Sequence, residues 1–293
     1  SILRMFVKKS EFFESIRRVT MNQRNTIVLS TLGILLAVYG TIAKDLAPFK
    51  IKGDYTSCTV NTYLYKSAKL DMKSKHKECK AKYDSEGKKT EELKYTSAGE
   101  SGMNKVYKYD TKDKLISEVT YRADGTIDQK ETSKYDANGN RVEYISSQSN
   151  GKLQIKITNK YNAKGKITEE VWYSSDGLVY TKETFTYSDK NNKIDKILYN
   201  AKGGIDRKSS AKLDEKGNVV EEQFNHSDTT LNLRQVSNYD ENGNEIERAE
   251  YKFDKTLYSK ETYKYDSNGN KTEEVVYNKL NEPLERTEYI YSK

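Results

Sequence analysis

The chain is 293 residues long, 34% hydrophobic, 32% charged and 11% aromatic, with 24 Tyr and only 2 Pro. Those proportions exclude a single thick apolar core, and the tyrosines exclude the aromatic-poor make-up of a disordered chain. Net charge is +7, but 51 basic and 44 acidic residues are finely mixed; this reads as a solvated two-sign surface, with no nucleic acid expected, because a nucleic-acid site concentrates cations and stacking aromatics.

Residues 1–25 are basic, with Arg4, Lys8, Lys9, Arg17, Arg18 and Arg24, and residues 26–43 form the one long uncharged apolar run, TIVLSTLGILLAVYGTIA. This pattern predicts a hydrophobic helix serving as signal peptide or membrane anchor. Met21 fits as the true start, with Thr41 and Ala43 at the small positions before a cut. An uncleaved run would just reach across a bilayer with its basic flank inside. Either way the remainder is expected to be extracytoplasmic: secreted, periplasmic or at the cell surface, tethered to the membrane if the segment is retained.

Residues 44–82 read as a linker and N-terminal cap. They hold both cysteines, Cys58 and Cys79. An oxidising compartment permits a disulfide between them, and two free thiols remain the alternative, because spacing does not show that the Cβ atoms meet.

The regular part is residues 83–291. Positions 83, 109, 135, 161, 187, 213, 239, 265 and 291 recur every 26 residues, all Tyr except Leu213. Turn signals follow most anchors, such as Asp136-Ala-Asn-Gly139, Asp240-Glu-Asn-Gly243 and Asp266-Ser-Asn-Gly269. An Asp or Asn side chain caps such a turn, and Gly three positions on supplies positive φ. A second column, Tyr95, Tyr121, Tyr173, Tyr199, Tyr251 and Tyr277, precedes a second turn near Gly99, Gly125, Gly151, Gly177 and Gly203. Between turns the pattern has period 2: Ile167, Glu169, Val171 and Tyr173 share one face and Thr168, Glu170 and Trp172 the other. The fold class is therefore all-β: eight tandem antiparallel β-hairpin repeats forming an extended twisted or coiled sheet, whose last strand, ending at Tyr291, is an open edge.

A basic column, Lys130, Lys156, Lys182, Lys208, Arg234, Lys260 and Arg286, recurs beside an acidic one, Glu92, Glu118, Glu170, Glu222 and Glu274. The two are expected to face one another across each hairpin on a solvated surface.

The motif Tyr-Asp-x-x-Gly-Asn, at residues 135–140, 239–244 and 265–270, resembles the tyrosine-aspartate (YD) repeats of the bacterial rearrangement-hot-spot (Rhs) family. The resemblance covers residues 83–291 and implies an exported or surface protein whose hairpins form spiralling sheets, implicated in carbohydrate binding or in enclosing a toxin.

Catalysis needs a singular constellation, whereas most polar residues here are copied from unit to unit. His76 and His226, the only histidines, have no nucleophile or ligand set beside them in sequence, and paired glutamates such as Glu169-Glu170 point to opposite faces of a strand. No enzyme activity, metal or cofactor is expected. Trp172, Tyr173, Tyr121 and Tyr199 are the candidate ligand-binding residues of a surface module for carbohydrate or protein; a structural spacer of the envelope and a toxin- or antitoxin-associated protein are the alternatives.

Overall fold

The computed structural model describes residues 47–226 and 233–293. The expected helix and signal or anchor at 26–43, and the basic segment before it, lie outside the described residues.

Tyr, Val, Ile and Thr alternating with charged residues suit a pleated surface with one covered and one wet face, and from residue 57 onward the chain is almost continuous strand. The strands are β1 (Ser57–Lys66), β2 (Lys69–Tyr83), β3 (Lys89–Tyr95), β4 (Ser101–Tyr109), β5 (Leu115–Tyr121), β6 (Ile127–Tyr135), β7 (Arg141–Gln148), β8 (Leu153–Tyr161) and β9 (Ile167–Tyr173). They continue with β10 (Val179–Ser188), β11 (Lys193–Asn200), β12 (Ile205–Leu213), β13 (Val219–His226), β14 (Leu233–Tyr239), β15 (Glu245–Lys252), β16 (Leu257–Tyr265), β17 (Lys271–Tyr277) and β18 (Pro283–Ser292). The repeats thus supply β3 to β18, and residues 57–83 add a hairpin of their own.

Each strand pairs antiparallel with its chain neighbours, and β1 also pairs with β18, from Ser57↔Ser292 to Leu64↔Glu285. The sheet is a closed barrel of eighteen strands. The expected open edge at Tyr291 does not exist, because Cys58 of β1 lies opposite it. Closure satisfies the edge N–H and C=O groups that an open ribbon would leave for aggregation.

The turns are built as their residues dictate. At Asp136 the side chain accepts from the N–H groups of Asn138 and Asn140, both at 2.9 Å, while Gly139 takes φ +82°. Where glycine is absent the same left-handed conformation is held by Asp113, Lys255 and Asn281, with φ of 61°, 65° and 61°. All these turns gather at two rims. The Tyr-Asp turns form one rim, and the turns after the second Tyr column form the other.

The anchor tyrosines tie consecutive hairpins together. The hydroxyls of Tyr109, Tyr135, Tyr161, Tyr239, Tyr265 and Tyr291 donate to the carbonyls of Lys89, Leu115, Arg141, Val219, Glu245 and Lys271, each 20 residues earlier, at 2.7–2.9 Å. Each accepting residue opens the strand that follows the previous turn. Leu213 has no hydroxyl; there the backbone N–H donates to the Asn192 carbonyl at 2.7 Å.

Residues 50–56 lie along the first rim at the seam. Ile51 N–H donates to the Gly87 carbonyl at 2.9 Å, and Lys52 exchanges two 2.8 Å hydrogen bonds with the Asn270 side chain. The first and last Tyr-Asp turns are thereby joined by one short strap.

Candidate functional site

A β-strand sends alternate side chains to opposite faces, so the barrel has an inner and an outer set. The inner set is closed to water along the middle of the wall: Val60, Lys105, Ile155, Trp172, Ile194 and Lys196 are among its buried members. A round barrel of this many strands leaves an aqueous channel. Here side chains fill the interior.

That interior is strongly polar, and its charges are partnered. Lys89 Nζ lies 2.9 Å from Glu92, Lys196 Nζ 2.6 Å from Glu222, and Lys271 Nζ 2.8 Å from Glu274. Burying a carboxylate without such partners costs several kcal/mol. Glu170 lies directly opposite Glu183, both buried, and accepts from the Trp172 indole N–H at 2.6 Å. Burial pushes the Glu170 carboxyl up to about 7, with the Trp172 hydrogen bond opposing and Glu183 reinforcing the shift.

Trp172 therefore leaves the set of surface candidates: it is 1% exposed, on the inner face. The acidic column is likewise not a solvated partner of the basic one. Glu92, Glu170, Glu222 and Glu274 are inner and buried, whereas Lys130, Lys156, Lys182 and Lys208 are outer. The carboxylates that do face the cations come one residue earlier, at Glu143, Glu221 and Glu273, with Lys156, Arg234 and Arg286 at 3.0, 2.8 and 2.7 Å. Period 2 puts neighbours on opposite faces, so a one-residue error exchanges the two faces completely.

The outer wall carries three charged tiers. Nearest the Tyr-Asp rim are Lys82, Lys134, Lys160 and Lys264. The next tier is acidic: Glu91, Glu143, Glu169 and Glu273 pair with those lysines at 2.6–2.7 Å. The third tier is the basic column from Lys130 to Arg286. Within it the second Tyr column lies directly across the strands: Lys156↔Tyr173, Lys182↔Tyr199, Arg234↔Tyr251 and Lys260↔Tyr277. Ammonium groups sit 5.9, 4.9 and 4.5 Å from the ring centres of Tyr173, Tyr199 and Tyr277. Tyr121 is outer as well, opposite Asn104. The structure thus brings Tyr121, Tyr173 and Tyr199 to one half-exposed outer row, and the cations beside Tyr173 and Tyr199 went unrecognised as their partners in the sequence. The signal was there, since both columns share the 26-residue period.

Cys58 and Cys79 are free and buried. Cys58 lies opposite Ala81 and Cys79 opposite Val60, so the thiols are diagonal neighbours on adjacent strands. Burial pushes the Cys58 thiol up to about 12 and that of Cys79 higher still. His76 lies in β2 and His226 ends β13, strands that are not neighbours. Among the described residues the wall carries shallow cavities. One, about 300 Å³, lies between Asn162, Lys164, Lys166, Tyr187 and Asp189; another, about 400 Å³, lies at the seam beside Tyr55, Arg286 and Tyr291.

No family model matches the chain, and no curated protein matches it. Among solved structures, a porin-like protein from Bacteroides uniformis aligns at 11% identity and TM-score 0.44, covering 83% of this chain and 99% of that one. A porin-like protein from Bacteroides vulgatus aligns at 14% identity and TM-score 0.36, over 62% and 96% of the respective chains. The TcdB2-TccC3-Cdc42 structure aligns at 12% identity and TM-score 0.24 over 71% of this chain, which spans only 16% of that one. At these scores none of the three carries an argument about this protein.

Proposed function

We propose that this protein is an exported, non-enzymatic binding module whose outer wall engages a carbohydrate or protein at the cell surface. The observation that carries the reading is the outer row of half-exposed tyrosines, four of which, Tyr173, Tyr199, Tyr251 and Tyr277, lie directly across from a cation. Tyrosine offers a rigid apolar face with a polar tip and loses little side-chain entropy on binding, which is why it recurs in recognition surfaces. The interior is occupied by buried ion pairs instead, among them Lys89 with Glu92 and Lys196 with Glu222.

The wall is not suited to face lipid. A membrane barrel turns an apolar band about 25 Å tall outward, whereas this one turns Lys134, Glu143, Lys156, Lys264, Glu273 and Arg286 outward as linked ion pairs. Export is supported by the sequence at 26–43, and the barrel then stands in water beyond the cytoplasmic membrane. Periodic polar chemistry without a singular cluster supports a non-catalytic role; among the described residues no group of three His, Cys, Asp or Glu is placed to hold a metal.

The test is an array of bacterial and plant glycans together with cell-surface preparations, probed with the full chain and with a Tyr121→Ala/Tyr173→Ala/Tyr199→Ala variant. Saturable binding by the full chain that is lost in the variant is expected. An array blank at every concentration contradicts the reading and leaves a structural spacer.

A further inference from the structure

The third charged tier is not neutralised. Lys156, Arg234 and Arg286 are held by carboxylates of the acidic tier. Among the described residues Lys130, Lys182, Lys208 and Lys260 hold none, and none of the four is buried. Three have an acid one tier away, and each is engaged elsewhere: Glu247, the acid nearest in pattern to Lys260, accepts from the Asn238 amide at 3.1 Å. Glu169 is bound to Lys160 at 2.7 Å, and Asp195, the acid nearest in pattern to Lys208, is bound to Lys193 at 2.8 Å.

These four cations stand on β6, β10, β12 and β16, so successive ones lie about 20, 10 and 20 Å apart across the strands. Between them β9, β11 and β15 present a tyrosine, Tyr173, Tyr199 and Tyr251, and two residues earlier on the same face an aliphatic side chain, while β7 and β13 present Ser147 across from Lys130 and Asn225 across from Lys208. Tyr173 with Val171 and Tyr199 with Ile197 flank Lys182, and Tyr277 with Val275 follows Lys260. The result is an interrupted outer track of four cations without carboxylate partners, two of which, Lys182 and Lys260, stand over tyrosine rings, bordered on one side by carboxylates.

We infer that this track binds a linear acidic polysaccharide, its sparse carboxylates meeting Lys130, Lys182, Lys208 and Lys260 and its sugar faces lying on Tyr173, Tyr199 and Tyr277. The inference rests on the binding-module reading and specifies its ligand. Charge density is what selects the polymer. Duplex DNA carries one charge per about 1.7 Å of axis, far denser than these cations on β6, β10, β12 and β16, and the bordering Glu143, Glu169 and Glu273 repel a continuous row of phosphates. A polymer of hydroxyl-rich sugars with occasional carboxylates suits both neighbours, since the same glutamates accept hydrogen bonds from sugar hydroxyls. Repetition of the cations also favours a long ligand over a short one, because each added contact is intramolecular.

The experiment titrates the full chain with hyaluronate, which carries one carboxylate on alternate sugars, with neutral hydroxyethyl cellulose and with duplex DNA, at two salt concentrations, and compares a Lys130→Gln/Lys182→Gln/Lys208→Gln/Lys260→Gln variant. A second variant, Lys134→Gln/Lys264→Gln, removes two cations that already hold carboxylates, and thermal unfolding of both checks that they fold. Tightest binding to hyaluronate is expected, weakened by salt and reduced on the order of tenfold or more in the first variant but not in the second. Equal binding of neutral cellulose without salt dependence overturns the inference while leaving the binding-module reading intact. Equal or tighter binding of DNA, or equal losses in both variants, overturns it as non-specific charge attraction. Failure of all three polymers overturns it as well, and the surface array then decides whether the broader reading survives.

Discussion

The Tyr135 hydroxyl donates to the Leu115 carbonyl at 2.9 Å, so a side chain at the end of one hairpin satisfies the first carbonyl after the preceding turn. The bond explains why the anchor column is tyrosine rather than phenylalanine. Removing the hydroxyl leaves that carbonyl short of a partner at little cost in packing, and a bond of this kind contributes about 0.5–1.5 kcal/mol. Tyr135→Phe is therefore expected to lower stability by about 1 kcal/mol in denaturant unfolding, and Tyr135→Leu by more. A neutral Tyr135→Phe would show that the ring alone defines the column.

Glu170 and Glu183 face each other inside the wall, and the raised Glu170 carboxyl has a consequence for pH. A free Glu titrates near 4.3, whereas in the folded protein Glu170 holds its proton up to about 7. Between those values the folded state binds the extra proton, so stability from this group falls as pH rises and levels off above about 7. Glu261, also pushed up to about 7 by burial, adds in the same direction. Glu170→Gln is expected to reduce the slope of the unfolding midpoint between pH 5 and 7.5. An unchanged slope would mean that Glu170 is ionised throughout.

Buried thiols with raised pKa are poor nucleophiles. Cys58 and Cys79 are expected to resist a charged thiol reagent in the native protein and to react fully after denaturation. Intact mass should show both as free thiols, because diagonal neighbours in an antiparallel pair stand further apart than a disulfide spans. A mass two hydrogens lower would contradict this.

Two glycines with left-handed backbone separate strain from contact. Gly125, at φ +82°, has open space where a Cβ would go, while a Cβ on Gly87, at φ +73°, would meet the Ile51 carbonyl oxygen at 2.2 Å. Gly125→Ala should cost only the left-handed penalty of about 1–2 kcal/mol. Gly87→Ala should cost more and raise hydrogen exchange at Ile51 and Lys52, since the strap must lift. Equal costs would remove the strap from the seam.

The 26-residue period, both turn columns and the all-β class were legible because turn chemistry and alternation are local. Turns lacking glycine were not all legible: Lys255 and Asn281 adopt positive φ without the residue that signals it. Face assignment failed at Glu170 and Trp172, since alternation pairs residues into two sets without saying which set is inside. Here the inside is itself polar. Closure was not legible either. Residues 57–83 break the period, β2 is fifteen residues long with two register shifts against β1, and nothing local announces that Cys58 meets Tyr291.

Closure at that seam places the charged tiers in rings around one wall, and the most direct test is a cross-link between Thr59 and Ile290, which lie opposite each other on β1 and β18. In a Thr59→Cys/Ile290→Cys variant, mild oxidation is expected to give an intramolecular disulfide in dilute monomer, detected as a 59–290 linked peptide, while either single variant gives none. A double variant that stays reduced, or that cross-links only between molecules, would contradict the closed barrel and restore the open ribbon.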